Sequence, residues 1–529
     1  MKQCANKLPV VRHTPAAFMP CGLFAFWVLC VFFRLEGLFV SLISVNDLTF
    51  CYDGSYDNIF EHVSFEIDTD WRLGFVGRNG RGKTTFLNLL LGAYEYSGSI
   101  RASVRFTYFP FVVSEPERDT VDVLADAAEN APEWKLLREL GRMGMEEGLL
   151  YRPFHTLSPG ERTRVLLAAL FLRDNNFLLI DEPTNHLDME GRAMLREYLL
   201  SKKGFILVSH DRAFLDGCVD HILSINRANI TVTRGNFSTW WENKARQDAY
   251  ELAQNERLLG DIRRLKDAAE HTARWSNALE ATKIGTGAGD RGAIGHKAAK
   301  MMQRSKAIEA RQERAIEEKS KLLKNIERSD ALKIHPLLHR KAVIATVQEL
   351  AVRYGAHPVF EGLSFVVRQG ERIALTGPNG CGKSSIVKLL AGDPIPHTGL
   401  IQLPGDLILS YVPQDTSFLK GDLADFAKRS GIDESLFKTI LRKLDFPRVQ
   451  FEKDMADFSA GQRKKVLLAR SLCEKAHLYL WDEPLNYVDV LSRMQIESLL
   501  CTGNPTMVFV EHDAAFLAHV ATAQIRVGG

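Results

Sequence analysis

The chain writes the same series of motifs twice, which limits it to a duplicated architecture. Gly77-Arg78-Asn79-Gly80-Arg81-Gly82-Lys83-Thr84 and Gly377-Pro378-Asn379-Gly380-Cys381-Gly382-Lys383-Ser384 both read G-x-x-x-x-G-K-[ST], and they stand 300 residues apart. Leu157-Ser158-Pro159-Gly160-Glu161 is answered by Phe458-Ser459-Ala460-Gly461-Gln462, and Asp181-Glu182-Pro183 by Asp482-Glu483-Pro484. In both copies the serine precedes the aspartate by 23 residues. His210 then follows Glu182 by 28 residues and His512 follows Glu483 by 29. Four motifs kept twice in order and spacing point to two homologous domains.

Each glycine-rich stretch follows a short apolar run, Arg72–Val76 or Arg372–Thr376, and opens an apolar helical pattern. This is the strand–loop–helix context of a phosphate-binding loop, whose backbone N–H groups curl around phosphate oxygens at a helix N-terminus. Candidate ATP contacts are therefore Gly77, Asn79, Gly80, Gly82, Lys83, Thr84 and Thr85 in the first copy. Those in the second are Gly377, Asn379, Gly380, Gly382, Lys383, Ser384 and Ser385. Lys83 and Lys383 reach the β- and γ-phosphates, and the hydroxyls of Thr84 and Ser384 are offered to Mg²⁺. The runs Phe177–Ile180 and Leu478–Trp481 read as buried strands that deliver Asp181 and Asp482 to the same ion. Glu182 and Glu483 come next, where a carboxylate orients or deprotonates the attacking water. His210 and His512 follow apolar strands and are candidates for holding the γ-phosphate and the water in register.

At 529 residues the chain has room for two to four domains. Its 67 basic and 65 acidic residues leave a net charge of +2, so any nucleic-acid surface must be local. The eight cysteines include no C-x-x-C pair, which argues against zinc or iron–sulfur ligation and suits a reducing, cytoplasmic setting.

The combination of P-loop, L-S-x-G-[EQ]-like signature, D-E-P and switch histidine resembles the ABC ATPase superfamily. The resemblance implies an α/β fold with two tandem ABC-type P-loop ATPase domains joined by a long antiparallel helical hairpin linker. It also implies head-to-tail pairing: Lys83 and Thr84 would share one ATP with Ser459 and Gly461, and Lys383 and Ser384 the other with Ser158 and Gly160. Tyr52 and Tyr354 match the aromatic that stacks on adenine. Gln414, in Tyr411-Val412-Pro413-Gln414, matches the glutamine that touches Mg²⁺ and the water. The first copy has Phe111 there, after Tyr108-Phe109-Pro110, and a phenyl ring cannot ligate a metal.

The expected boundaries are 40–242 for the first ATPase domain, 243–335 for the linker and 336–529 for the second domain. Lys244–Leu279 has helix-forming composition and would extend about 54 Å. A glycine-rich stretch at 282–292 then makes a turn, and Ala293–Arg328 reads as helix again. Between residues 283 and 306 stand Lys283, Arg291, Lys297, Lys300, Arg304 and Lys306, against Asp290 as the single acid. Such a tip suits RNA phosphates, and it equally suits a solvated spacer.

Past residue 40 no apolar run has the length of a membrane span. Two ATPase domains in one chain with a charged linker resemble the ABC-F class of ribosome-acting proteins. Trp71-Arg72-Leu73-Gly74 and the 290–302 segment resemble its Lsa/Vga antibiotic-resistance branch. This implies a monomer that binds the ribosome, touching ribosomal RNA and tRNA through the linker, and protects it from drugs at the peptidyl-transferase centre. Neither a permease nor stable membrane insertion is expected. The alternatives are a housekeeping ABC-F translation factor and the ATPase subunit of a transporter. The apolar segment 17–33 is the one feature favouring the latter. We read residues 1–39 as an upstream extension, with Val40 standing where an initiator codon falls; the alternatives are a real anchor or signal, or an unusual helix.

Overall fold

The computed structural model describes residues 41–529 apart from 53–57, 186, 227–228, 282–306, 308–309, 312–331, 356 and 529. The 1–39 segment and the six basic residues of 283–306 lie outside the described residues.

The first domain opens with β1 (Leu42–Phe50) and β2 (Phe60–Asp68), followed by β3 (Arg72–Val76), β4 (Ser97–Arg101), β5 (Arg105–Phe109), β6 (Asn176–Asp181), β7 (Phe205–Val208), β8 (His221–Asn226) and β9 (Asn229–Arg234). β1, β2 and β4 form a small antiparallel sheet, and the others a six-stranded sheet ordered β5-β6-β7-β3-β8-β9. Pairing is parallel from β5 through β8, and only the edge strand β9 runs antiparallel. Parallel strands are covered on both faces, which is why Phe177, Leu178, Leu179 and Ile180 of β6 are all buried.

The second domain repeats this plan. β10 (Val343–Tyr354), β11 (His357–Arg368) and β13 (His397–Gln402) form the antiparallel sheet. β12 (Arg372–Thr376), β14 (Leu409–Val412), β15 (Leu478–Asp482), β16 (Met507–Val510) and β17 (Ala523–Arg526) form a parallel sheet ordered β14-β15-β16-β12-β17.

In each domain the strand bearing the P-loop lies beside the strand that ends in the switch histidine, and that strand beside the D-E-P strand. The C-terminal ends of these three strands thus bring the loops together, where an open α/β sheet places its ligands. Helices of the first domain pack into one apolar cluster with Phe237 and Trp240, and Val490 of the second domain joins that cluster. The long helix Phe237–Ala281 starts ahead of residue 243 because Phe237 and Trp240 at its base are buried in the first domain. Among the described residues no helix is long and apolar enough to cross a membrane.

Candidate active sites between the two domains

Each P-loop ends in a glycine that only a bare backbone permits. Gly82 and Gly382 both have φ 94° and cap the helices Lys83–Leu90 and Lys383–Ala391. A Cβ on Gly82 would come within 2.6 Å of Ile59 Cγ2, and one on Gly382 within 2.7 Å of the Phe360 ring. The lysines that follow fold back into their own loops. Lys83 Nζ donates to the carbonyls of Gly77 (2.7 Å) and Arg78 (3.3 Å) and to Asn79 Oδ1 (3.2 Å). Lys383 Nζ donates to the carbonyls of Gly377 and Pro378, both at 2.8 Å.

The signature serines have a structural duty. Ser158 and Ser459 are N-caps of the helices Pro159–Leu170 and Ala460–Cys473, each in a reciprocal capping box with Glu161 or Gln462. The acid or amide at the end of the signature is thereby accounted for by helix initiation. Its exposed start points at the opposite domain.

Two cavities lie between the domains. One, of about 590 Å³, is lined by Tyr52, Asn79, Gly80, Gly82, Lys83, Thr84, Thr85, Asp181, Glu182 and His210 on one wall. Ser459, Gly461, Lys465 and Tyr487 line the other. The second, of about 700 Å³, sets Tyr354, Asn379, Gly380, Gly382, Lys383, Ser384, Ser385, Gln414, Glu483 and His512 against Ser158, Gly160, Arg164 and Asp188. We call them site one and site two. Both volumes suit a ligand the size of a nucleotide. Each aromatic candidate is partly exposed and anchored by its hydroxyl: Tyr52 to Thr85 Oγ1 at 2.8 Å, Tyr354 to Ser385 Oγ at 3.0 Å. Asp482 lies outside the lining of site two, directly beneath Ser384, whose Oγ donates to Asp482 Oδ1 at 3.0 Å.

The carboxylate pairs differ between the sites. Glu182 and Glu483 share a left-handed backbone, with φ 52° and 47°, a conformation that non-glycine residues adopt only where the surroundings enforce it. Glu483 is well supplied with donors: Gln414 Nε2 at 2.7 Å, Asn486 Nδ2 at 2.8 Å, and His512 Nε2 at 3.5 Å. Burial opposes its ionisation, but the His512 and Gln414 contacts outweigh that, and its carboxyl sits below the ordinary range. Glu182 has His210 Nε2 at 3.3 Å and the His210 backbone N–H at 3.4 Å. Burial, with Asp181 beside it, pushes Glu182 up to about 8. Burial also holds His210 well below its usual value, with the Lys83 and Arg493 charges adding to it. Phe111 packs against the helical core of the first domain.

Several polar groups escaped the motif reading. Tyr108 donates to Asp181 Oδ2 at 3.0 Å. Buried Lys464 donates to the carbonyls of Pro413 (3.1 Å) and Asp482 (3.4 Å), whereas its counterpart in the first domain is Thr163. Comparing the two repeats residue by residue would have exposed that substitution. Lys465 pairs with buried Asp489 at 3.1 Å.

The carboxylates also fit a divalent ion. Asp482 Oδ2 is buried with no hydrogen-bond partner, and Thr84 Oγ1 lies 3.4 Å from Asp181 Oδ2. Among the described residues no cluster of three or more His, Cys, Asp or Glu is arranged to hold a metal by itself. One carboxylate and one hydroxyl completed by phosphate and water is the way Mg²⁺ is usually held.

Two ABC ATPase domains in tandem define the class of this protein, and it is an ATPase. A family profile described as ABC transporter matches residues 60–185 and 360–486. The chain is homologous to ABC-F proteins at about 26% identity. It is 26% identical to the ribosome protection protein VmlR of Bacillus subtilis, with 90% of this chain and 85% of that one aligned. It is 28% identical to the ATP-binding protein Uup of Caulobacter vibrioides (89% and 75% aligned). It is 26% identical to the energy-dependent translational throttle protein EttA of Escherichia coli K12 (88% of each). Among solved structures, the complex of archaeal stalk protein aP1 with the ribosome recycling factor aABCE1 matches with a TM-score of 0.60. It is 20% identical over 91% of this chain and 87% of that one, a likeness of fold.

Proposed function

We propose that this protein binds ribosomes in its ATP-closed form and protects them from antibiotics acting at the peptidyl-transferase centre. The observation that carries the first half is the pair of cavities, each walled by the P-loop of one domain and the signature of the other. Two nucleotides would then act as the glue of closure, and hydrolysis would release it. Kinship with VmlR and the basic run at 283–306 support the second half.

In this reading Lys83 and Lys383 hold phosphate, and Glu182 and Glu483 orient or deprotonate water under His210 and His512. Thr84 with Asp181, and Ser384 with Asp482 and Gln414, would hold Mg²⁺. Bound there, the ion would neutralise the charge that develops on the transferred phosphoryl group. Lys283, Arg291, Lys297, Lys300, Arg304 and Lys306 would meet RNA, in the cytoplasm, from a monomer.

The test combines Glu182→Gln with Glu483→Gln. The double variant should co-sediment with ribosomes in ATP, and wild type should raise the inhibitory concentration of such drugs in a sensitive bacterium while the variant should not. Free protein in the sedimentation assay would count against the reading. Kinship with EttA favours a second reading, a translation factor without drug specificity. It predicts ribosome trapping with no change in susceptibility.

A further inference from the structure

Between the two switch histidines lies a largely buried group of four charges, Arg192, Asp211, Arg493 and Asp513, that neither ATP cavity includes. Arg192 belongs to the helix Met189–Leu200, directly after Asp188. Its Nη1 pairs with Asp211 Oδ2 at 2.9 Å and also donates across the domain boundary to the backbone carbonyl of His512 at 3.1 Å. The counterpart in the second domain, Arg493, stays within its own half: Nη1 lies 3.4 Å from Asp513 Oδ2, Nε donates to the Val488 carbonyl and Nη2 to the Leu485 carbonyl. Asp211 is 4% exposed, Asp513 0% and Arg493 6%, and the Arg192 side chain, at 11%, is nearly as well covered.

The asymmetry lies in what each arginine reaches. Asp211 follows His210 and caps the helix Arg212–Cys218 through the Phe214 N–H. Arg192 therefore grips the switch segment of site one by its side chain and that of site two by its backbone. The imidazole of His512 lies 3.5 Å from Glu483, so a shift of the His512 backbone changes that contact directly. The adjoining ion pair of Arg212 with Glu497, also between domains, has no mirror image, since Ala514 occupies the matching place.

We propose that Arg192 is a positioning residue for hydrolysis at site two. Supplied by the first domain, it sets the place of His512 and couples it to the His210–Asp211 segment of site one. This rests on the assignment of Glu182 and Glu483 as the hydrolytic carboxylates. An arginine touching neither nucleotide acts on the chemical step and not on ATP capture, so its removal lowers kcat and spares KM.

The experiment measures steady-state ATPase of the full chain in two backgrounds. Glu182→Gln leaves site two firing, and Glu483→Gln leaves site one. Adding Arg192→Met should lower kcat about tenfold in the Glu182→Gln background with KM for ATP within about twofold, and by less than about threefold in the Glu483→Gln background. Arg192→Lys keeps a cation for Asp211, guards against simple misfolding, and should recover most of the lost kcat. Equal losses in both backgrounds, a loss confined to site one, a rise in KM alone, or no recovery with lysine would each overturn the proposal. The double Glu→Gln variant is run alongside: wild-type turnover there means the glutamate assignment has failed, and the proposal with it.

Discussion

Asn79 Nδ2, in the first P-loop, donates to the backbone carbonyl of Tyr487 in the second domain at 2.9 Å. The side chain that braces Lys83 through its Oδ1 therefore also touches the opposite domain through its amide nitrogen. Removing it should weaken both phosphate binding and closure. Asn79→Ala is expected to raise KM for ATP by about three- to tenfold, in line with about 1 kcal/mol for an ordinary hydrogen bond. Asn79→Asp should be worse, because the donor becomes a carboxylate facing a carbonyl. Titration of ATPase rate against ATP checks this.

The two sites should respond to pH differently. A general base works only when deprotonated. Glu182 lies near 8 and Glu483 below the usual carboxylate range. With site one isolated by Glu483→Gln, kcat should rise as pH climbs from about 7 to 9. With site two isolated by Glu182→Gln it should be flat there. Identical profiles would remove Glu182 as the group that sets the rate at site one.

Gly82→Ala should damage fold and site together. It places a methyl group 2.6 Å from Ile59 at φ 94°, a backbone that L-residues adopt at a cost of about 1–3 kcal/mol. A lowered Tm by calorimetry and loss of nucleotide binding to the first domain are expected.

The capping box at Ser459 and Gln462 ties the stability of the signature helix to ATP affinity. Gln462→Ala removes the back-bond to the Ser459 N–H and a polar group lining site one, so it should cost about 0.5–1 kcal/mol of stability and raise KM for ATP. Ser459→Ala removes the cap and also a polar group lining site one, so stability and ATP affinity should fall together. Denaturant melts and ATP titrations of both variants check this.

Phosphate chemistry imposes fixed spacings within a single strand–loop–helix, and this is why both P-loops and both ATPase domains are legible in the sequence. Phe111 against Gln414 was legible for the same reason. The contacts between domains were not. Arg192 and His512 stand 320 positions apart, and Asn79 and Tyr487 stand 408 apart. No periodicity relates such positions, since only the docking of two surfaces makes them neighbours. Lys464 is not legible as a buried group, because a lysine in a helix reads as solvent-facing, whereas here carbonyls at the strand end satisfy its ammonium.

The helix Phe237–Ala281 is rooted in the first domain by two aromatic rings, and its 45 residues make a rod about 67 Å long. A rod anchored at its root acts as a lever. A tilt of about 5° at its root, small beside ordinary domain rotations, sweeps the far end through about 6 Å. Val490 of the second domain sits in the same apolar cluster as that root, so the fulcrum is shared by both halves. Millimetre-scale machines obtain stroke from small rotations in the same way, by placing the hinge near the engine and the working tip far from it.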